Sequence, residues 1–402
     1  MTVRLLTIAT RLPETAIDQD DVAELFAVQP GMSRLGSRLV RTAFAGAGVR
    51  SRRTVLTELG AEARDAHDGT PTHFLDHETG ALGSPATAAR NAIYTAEASR
   101  LFVNAARDAL DDVAPDLTPA DVTHVITVSC TGFFAPGPDV RVTKDLGLPA
   151  DVTRLHLGFM GCNAAFPALQ TAAAYCAADP AAVVLVVCVE LCTLHLHVRN
   201  DPNTVMGNAL FADGAAAAIV TARDARVPAP AFELVDFETT LAPVGEDALA
   251  WSIGDEGFEM ILGTYVPKII DDHVTDALAP LLARTGTAVA GIDRWAVHPG
   301  GRSILDKVQA RLALTDEQMA PSRDVLADAG NMSSATILFV LDRLRRSVTP
   351  GDLSGDGSSS TVAALAFGPG LSIESALLRL TTATGAVGTA DAAAPSDEGA
   401  GA

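Results

Sequence analysis

The chain carries 402 residues, 48% of them apolar, and sets 49 Asp and Glu against 29 Lys and Arg, for a net charge of −20. That length allows two or three domains of roughly 150 residues with a large core, and so acidic a chain is not drawn to nucleic acid or to an anionic membrane surface. The five cysteines, odd in number and confined to the stretch from Cys130 to Cys192, are not a secreted disulfide framework and predict a reducing, cytoplasmic setting.

The opening run, Met1 to Pro13, has too short an apolar stretch for a signal peptide and predicts a first strand. The densest basic stretch follows, with Arg38, Arg41, Arg50, Arg52 and Arg53. It suits an anionic ligand or a solvated helix and strand equally. A strand is predicted over Val122 to Val128. Val152 to Tyr175 then reads as a strand that turns sharply through Gly161 into an apolar helix, placing Cys162 at the helix N-terminus. The unpaired N–H groups there carry about half a positive charge and predict a thiol pKa below the free value of ~8.5. Ala182 to Val189 is the best uninterrupted apolar run and falls well short of the ~18 residues that span a bilayer. Cys188, Cys192, His195 and His197 are zinc ligands by type. In a continuing strand, however, the two cysteines face one side and the two histidines the other, so no metal site is predicted.

The charged, proline-bearing segment Thr221 to Pro230 marks an internal boundary between a first half, 1–225, and a second, 226–380. Each half ends in a strand, glycine turns and an apolar segment. In the second half, strands are predicted at Asp293 to Val297 and Thr361 to Phe367. Candidate polar groups appear at His298, in Trp295-Ala-Val-His298-Pro-Gly-Gly301, and at Asn331, in Ala329-Gly-Asn331-Met-Ser-Ser-Ala-Thr336. The tail, 381–402, is too poor in apolar surface to fold and is predicted disordered. Short β-branched runs alternating with alanine-rich stretches predict an α/β fold with helix-covered sheets.

A Cys-His-Asn set also serves papain-like proteases, but Cys162 lies mid-chain and no upstream Gln supplies their oxyanion donor. At Gly161-Cys162, Leu210-Phe211-Ala-Asp213-Gly214, His298-Pro-Gly-Gly301, Gly330-Asn331-Met-Ser-Ser and Phe367-Gly-Pro-Gly370, the chain instead resembles the type III polyketide synthases. These form the chalcone and stilbene synthase family, within the thiolase-fold condensing enzymes. Ser129-Cys130-Thr-Gly-Phe133 and Cys188-Val-Glu-Leu-Cys192 are closer to its bacterial branch. A β-ketoacyl synthase III would carry His-Gln-Ala-Asn and a shorter chain, and a non-condensing partner subunit would lose the cysteine or the histidine.

The resemblance implies an internally duplicated αβαβα sandwich and a homodimer with the Phe133 to Pro138 loop at its interface. It implies an acyl-CoA starter held on Cys162 and extended by malonyl-CoA, no metal or other cofactor, and release as a pyrone or resorcinol-type product. Cys162, His298 and Asn331 are then catalytic. Cys130, Cys192, His195, Phe211, Trp251, Met260 and Ser333 line the acyl cavity, with Phe211 and Met260 at gatekeeper positions. Gly300, Gly301 and Ser303 lie on the path of coenzyme A. Trp251 stands where plant members have a glycine, so it fills volume that a large cyclised product needs.

Overall fold

The computed structural model describes residues 2–61, 72–225, 230–348 and 359–381. Its strands are β1 (Arg4–Arg11), β2 (Thr15–Asp18), β3 (Ser51–Thr54), β4 (His124–Ser129), β5 (Thr153–Gly158), β6 (Val183–Leu191), β7 (Asp213–Thr221), β8 (Ala231–Leu241), β9 (Leu249–Gly254), β10 (Gly257–Leu262), β11 (Arg294–Val297), β12 (Ser359–Gly368) and β13 (Ser372–Thr381). Its helices are α1 (Gln19–Ala27), α2 (Arg34–Gly46), α3 (Thr87–Val113), α4 (Pro138–Asp145), α5 (Ala165–Ala178), α6 (Pro202–Leu210), α7 (Val266–Thr285), α8 (Arg302–Leu312), α9 (Asp316–Ala329) and α10 (Thr336–Arg346). The predicted boundary near 225 adjoins residues 226–229, which lie outside the described residues; the predicted tail, 381–402, starts at Thr381, the last residue of β13, and its other residues, 382–402, also lie outside them.

Nine strands form one sheet in the order β11-β12-β13-β8-β1-β7-β6-β4-β5. The two halves of the chain meet in it where Arg4 pairs with Glu233 and Leu5 with Phe232. β6 shows why the sheet is covered on both sides. Val183, Leu185, Val187 and Val189 enter one core while Val184, Val186 and Cys188 enter the other, the period-two alternation of a strand buried on both faces. The second core takes the apolar faces of α5 and α10, and the first takes those of α3, α7 and α8. Alanine at 165, 168 and 172 lets α5 lie close on the strands. The result is the layered α/β arrangement that the alternation of elements predicts.

Two of the three candidate catalytic residues follow strands, and the third lies between helices. Cys162 follows β5, and His298 follows β11, which runs parallel to β12. Asn331 lies between α9 and α10. The chain reaches Cys162 through Gly161, whose φ is +87° and whose missing Cβ would fall 2.4 Å from Pro369 Cδ. Gly161→Ala should therefore cost about 2 kcal/mol or more, from the left-handed backbone and the overlap together, and displace Cys162. Thermal denaturation and product formation check it; a loss below about 0.5 kcal/mol would show that Pro369 moves aside freely.

Candidate functional site

Cys162 lies in the turn before α5, three residues ahead of Ala165, rather than in the first turn of the helix. This corrects the expected low pKa. Burial pushes the thiol up to about 11, and the charge of Glu190 adds to it, outweighing hydrogen bonds from Ser333 and Asn331. A helix-end field fades within a turn, whereas loss of water acts on the whole group.

Asn331 is held by its backbone to the end of α6. Its N–H donates to the Leu210 carbonyl at 2.9 Å, and its own carbonyl accepts from the Ala212 N–H at 2.9 Å, an isolated bridge opposite Phe211. The side chain is oriented by its oxygen. Oδ1 accepts from the Ser333 N–H at 2.9 Å and from Thr336 Oγ1 at 3.4 Å, and Cys162 Sγ stands 3.9 Å from both Oδ1, to which the thiol donates, and Nδ2, which donates to the sulfur. Asn331 thus presents both a donor and an acceptor to the thiol.

His298 is anchored by its N–H to the Leu365 carbonyl at 2.8 Å and is 1% exposed. Both ring nitrogens lack a partner among the described residues. Burial lowers its pKa to about 3, so the ring is neutral and offers one N–H donor and one acceptor. Idle buried polar groups are costly, and here they border a cavity that can bring them a partner.

That cavity, about 50 Å³, is lined by Cys162, His298 and Asn331 together with Cys130, Cys192, Phe211, Trp251, Met260, Ser333 and Gly300. A second cavity of about 250 Å³ adjoins it and shares Cys192, Phe211, Trp251 and Met260 with it. His195 lines only the second. Its Nε2–H donates to the Thr131 carbonyl at 2.8 Å, its Nδ1 accepts from the Phe258 N–H at 2.9 Å, and its ring stacks on Phe258 at 4.2 Å. Both nitrogens are committed, and burial holds the ring neutral with a pKa of about 3. Trp251 faces Met260 across the β9–β10 hairpin, and its Nε1–H donates to the Cys130 carbonyl at 2.9 Å. Gly301 and Ser303 line neither cavity: Gly301 caps α8, and Ser303 is exposed on it.

Three readings change. β6 ends at Leu191, and Cys192–His195 forms a 3-10 turn, so the strand alternation used to weigh a zinc site does not apply. Among the described residues no group of three or more His, Cys, Asp or Glu is placed to hold a metal ion. Arg52 leaves the surface arginines and is buried, while Arg41 and Arg50 pair with Glu24 and Asp328 outside. Glu190 was missed. It is fully buried and accepts from the Cys130 N–H at 2.9 Å, Thr131 Oγ1 at 2.9 Å, Ser129 Oγ at 3.3 Å and Ser334 Oγ at 2.5 Å, and burial raises its pKa. The available signal was a lone acid inside an apolar strand run.

Two family models cover nearly the whole chain: the N-terminal domain of chalcone and stilbene synthases matches residues 2–224 and the C-terminal domain residues 233–382. The bisdemethoxycurcumin synthase of Oryza sativa subsp. japonica is 33% identical over 82% of this chain and 82% of its own length. The alpha-pyrone synthesis polyketide synthase-like Pks18 of Mycobacterium tuberculosis is 31% identical over 92% of this chain and 89% of its own. Among solved structures, PKS-I of the brown alga Ectocarpus siliculosus superposes with a TM-score of 0.86 at 29% identity, covering 94% of this chain and 98% of that one. The type III polyketide synthase domain of Steely1 from Dictyostelium gives 0.82 at 26% identity, covering 95% and 100%.

Among the described residues lining the smaller cavity, His298 carries the one imidazole, and its part as base to Cys162 is read from the pH dependence of thiol alkylation. With a thiol pKa of about 11, the thiolate fraction falls tenfold for each pH unit below it. Alkylation of Cys162 by iodoacetamide in His298→Gln should therefore climb about tenfold per unit from pH 6 to 10. The wild-type rate should rise much less steeply. Equal slopes, followed by peptide mass mapping, would exclude His298 as the base.

Proposed function

The chain belongs to the chalcone and stilbene synthase family and is a type III polyketide synthase, and on that premise we propose that Cys162, His298 and Asn331 carry its condensation chemistry. The supporting observation is the pairing of an Asn331 amide, locked by its oxygen and turned toward Cys162, with a neutral His298 whose ring nitrogens are idle.

Cys162 Sγ attacks the thioester carbonyl of the acyl-CoA starter. His298 takes the thiol proton as the bond forms, so thiolate and imidazolium appear together and offset the burial cost each would meet alone. The proton then passes to the departing coenzyme A thiolate, which restores neutral His298 and leaves an acyl thioester on Cys162. Malonyl-CoA next loses carbon dioxide with its thioester oxygen between His298 Nε2–H and Asn331 Nδ2–H. The enolate carbon attacks the acyl carbonyl, the Cys162 sulfur leaves, and the product is a β-ketoacyl-CoA longer by two carbons. Return of that chain to Cys162 allows another round. No step calls for a metal or a redox cofactor. Gly300, at the cavity wall, with Gly301 and Ser303 beyond it, suits the path of the pantetheine arm. The indole of Trp251 takes space that a fused product would need, and the mycobacterial relative bears an alpha-pyrone name. Both favour release as a pyrone or a resorcinol.

A homodimer completes this reading. Among the described residues, β5 ends the sheet with one edge unpaired, and Phe133 and Met160, each 39% exposed, stand near it. An open edge beside apolar side chains invites pairing with a second copy. Light scattering at micromolar concentration should give twice the chain mass, and a monomer would contradict it.

The chemistry is tested by separating its two halves. In Asn331→Ala, release of carbon dioxide from malonyl-CoA should fall by about two to three decades, the usual cost of one oxyanion donor. Intact-protein mass should still show one starter acyl group on Cys162. Loading that falls as far as decarboxylation would make Asn331 a structural residue only, and an adduct on Cys130 or Cys192 would displace Cys162 from its role.

A further inference from the structure

The cavity that holds Cys162 measures about 50 Å³ and its neighbour about 250 Å³. Ligand pockets generally run to about 300–1,000 Å³, so a chain of several units outgrows the first and finds its room in the second. Ile17, Val22, Phe26 and Leu59 give the second cavity an apolar wall, but Arg52 belongs to the same lining. Arg52 is 2% exposed. Its Nη1 donates to the Asn208 and Phe211 carbonyls at 2.6 and 2.7 Å, and its guanidinium lies over the Phe44 ring at 5.4 Å. Nε and Nη2 have no acceptor among the described residues, and Asp213 reaches it only through its field. Three N–H groups of a buried cation are therefore idle in the wall of a chamber whose other polar lining includes His197, Arg199, Asp201, Asn203, Asn208 and Glu259, an arrangement that costs stability until an acceptor arrives.

We propose that the second cavity receives the acyl chain carried by Cys162, and that Arg52 makes it select chains bearing a hydrogen-bond-accepting oxygen over plain alkyl chains. This rests on Cys162 being the acylated group. Two sources can supply such an oxygen: a ketone laid down by an earlier extension, close to the thioester, or an oxygen in the tail of the starter. Either reaches Arg52 past Trp251 and Met260.

The test is the rate at which the full-length protein acquires an acyl group on Cys162, read by intact mass without malonyl-CoA. The donors are acetyl-, octanoyl-, 3-oxooctanoyl-, 5-oxooctanoyl- and 7-oxooctanoyl-CoA. At least one oxo chain should load about tenfold faster than octanoyl, as expected where a site is built to donate to an oxygen. An advantage at position 3 identifies the extension ketone, and one at position 5 or 7 the starter tail. In Arg52→Met the ratio of oxo to octanoyl loading should fall to about one, and Arg52→Lys should keep part of it. A purely structural role would slow both chains alike and leave the ratio unchanged, which overturns the proposal. So does wild-type protein that loads octanoyl as fast as every oxo chain. The wild-type comparison decides even if Arg52→Met fails to fold. Failure of acetyl-CoA to load Cys162 at all would overturn the assignment of Cys162 instead.

Discussion

Glu190 accepts hydrogen bonds from the Cys130 N–H in the first half of the chain and from Ser334 Oγ in the second, and it does so with no access to water. A buried carboxyl group is tolerable only when its lone pairs are filled, so this group fastens the two halves at the floor of the smaller cavity. The consequences run outward one bond at a time. Fixing Ser334 fixes the turn that begins at Ser333, whose N–H holds Asn331 Oδ1. The direction in which Asn331 donates is thus inherited from a carboxyl group that touches no substrate. Cys130, held by the same group, presents its carbonyl to Trp251 and so sets the indole in the wall.

The same carboxyl group bears on the chemistry by its field. Burial and Glu190 together raise the Cys162 thiol, which keeps it protonated and unreactive until a base stands beside it. A sulfur that resists ionisation is the stronger nucleophile once ionised but the slower leaving group. In the role proposed for Cys162, condensation requires it to do both in turn. Loading benefits from the high pKa; release during the enolate attack is penalised by it, and only a proton or an N–H aimed at the sulfur relieves the penalty. Asn331 Nδ2, 3.9 Å from Sγ, stands where it can act in both steps, on the oxygen of the enolate and near the departing sulfur.

Much of this was legible in the sequence, for local reasons. A β-branched run followed by Gly161 and an alanine-rich stretch fixed strand, turn and helix around Cys162, because each depends on residues within a few positions. Asn331 and His298 were legible through the motifs that surround them. The pKa of Cys162 was not, since it depends on water excluded by side chains far along the chain. Cys192 to His195 reads as strand because nothing local breaks it. The turn is imposed from β7, where the Asp213 carboxylate accepts from the Thr193 N–H at 2.8 Å and from Thr193 Oγ1 at 2.6 Å. Arg52 was indistinguishable from its surface neighbours, because what buries it is α6, about 150 residues away.

The four residues shared by the two cavities differ in how firmly they are held, and that difference decides how a chain can cross. Phe211 is fixed through its backbone from two sides, by the bridge to Asn331 and by Arg52 on its carbonyl. Trp251 is fixed through its ring N–H, and Cys192 sits in a turn anchored to Asp213 through Thr193. Met260 is tied only through its backbone in the β9–β10 pair, and its side chain makes no hydrogen bond among the described residues. Its unbranched side chain has three rotatable bonds, and its Cε would lie 3.3 Å from a Cβ at Gly207, so the absence of a side chain there leaves it space against α6. Of the four, Met260 is thus the side chain that can give way without disturbing the hydrogen bonds around Asn331. A rigid partition with one soft member lets chain growth proceed without loosening the Asn331 amide, because the residue that moves shares no hydrogen bond with those that react.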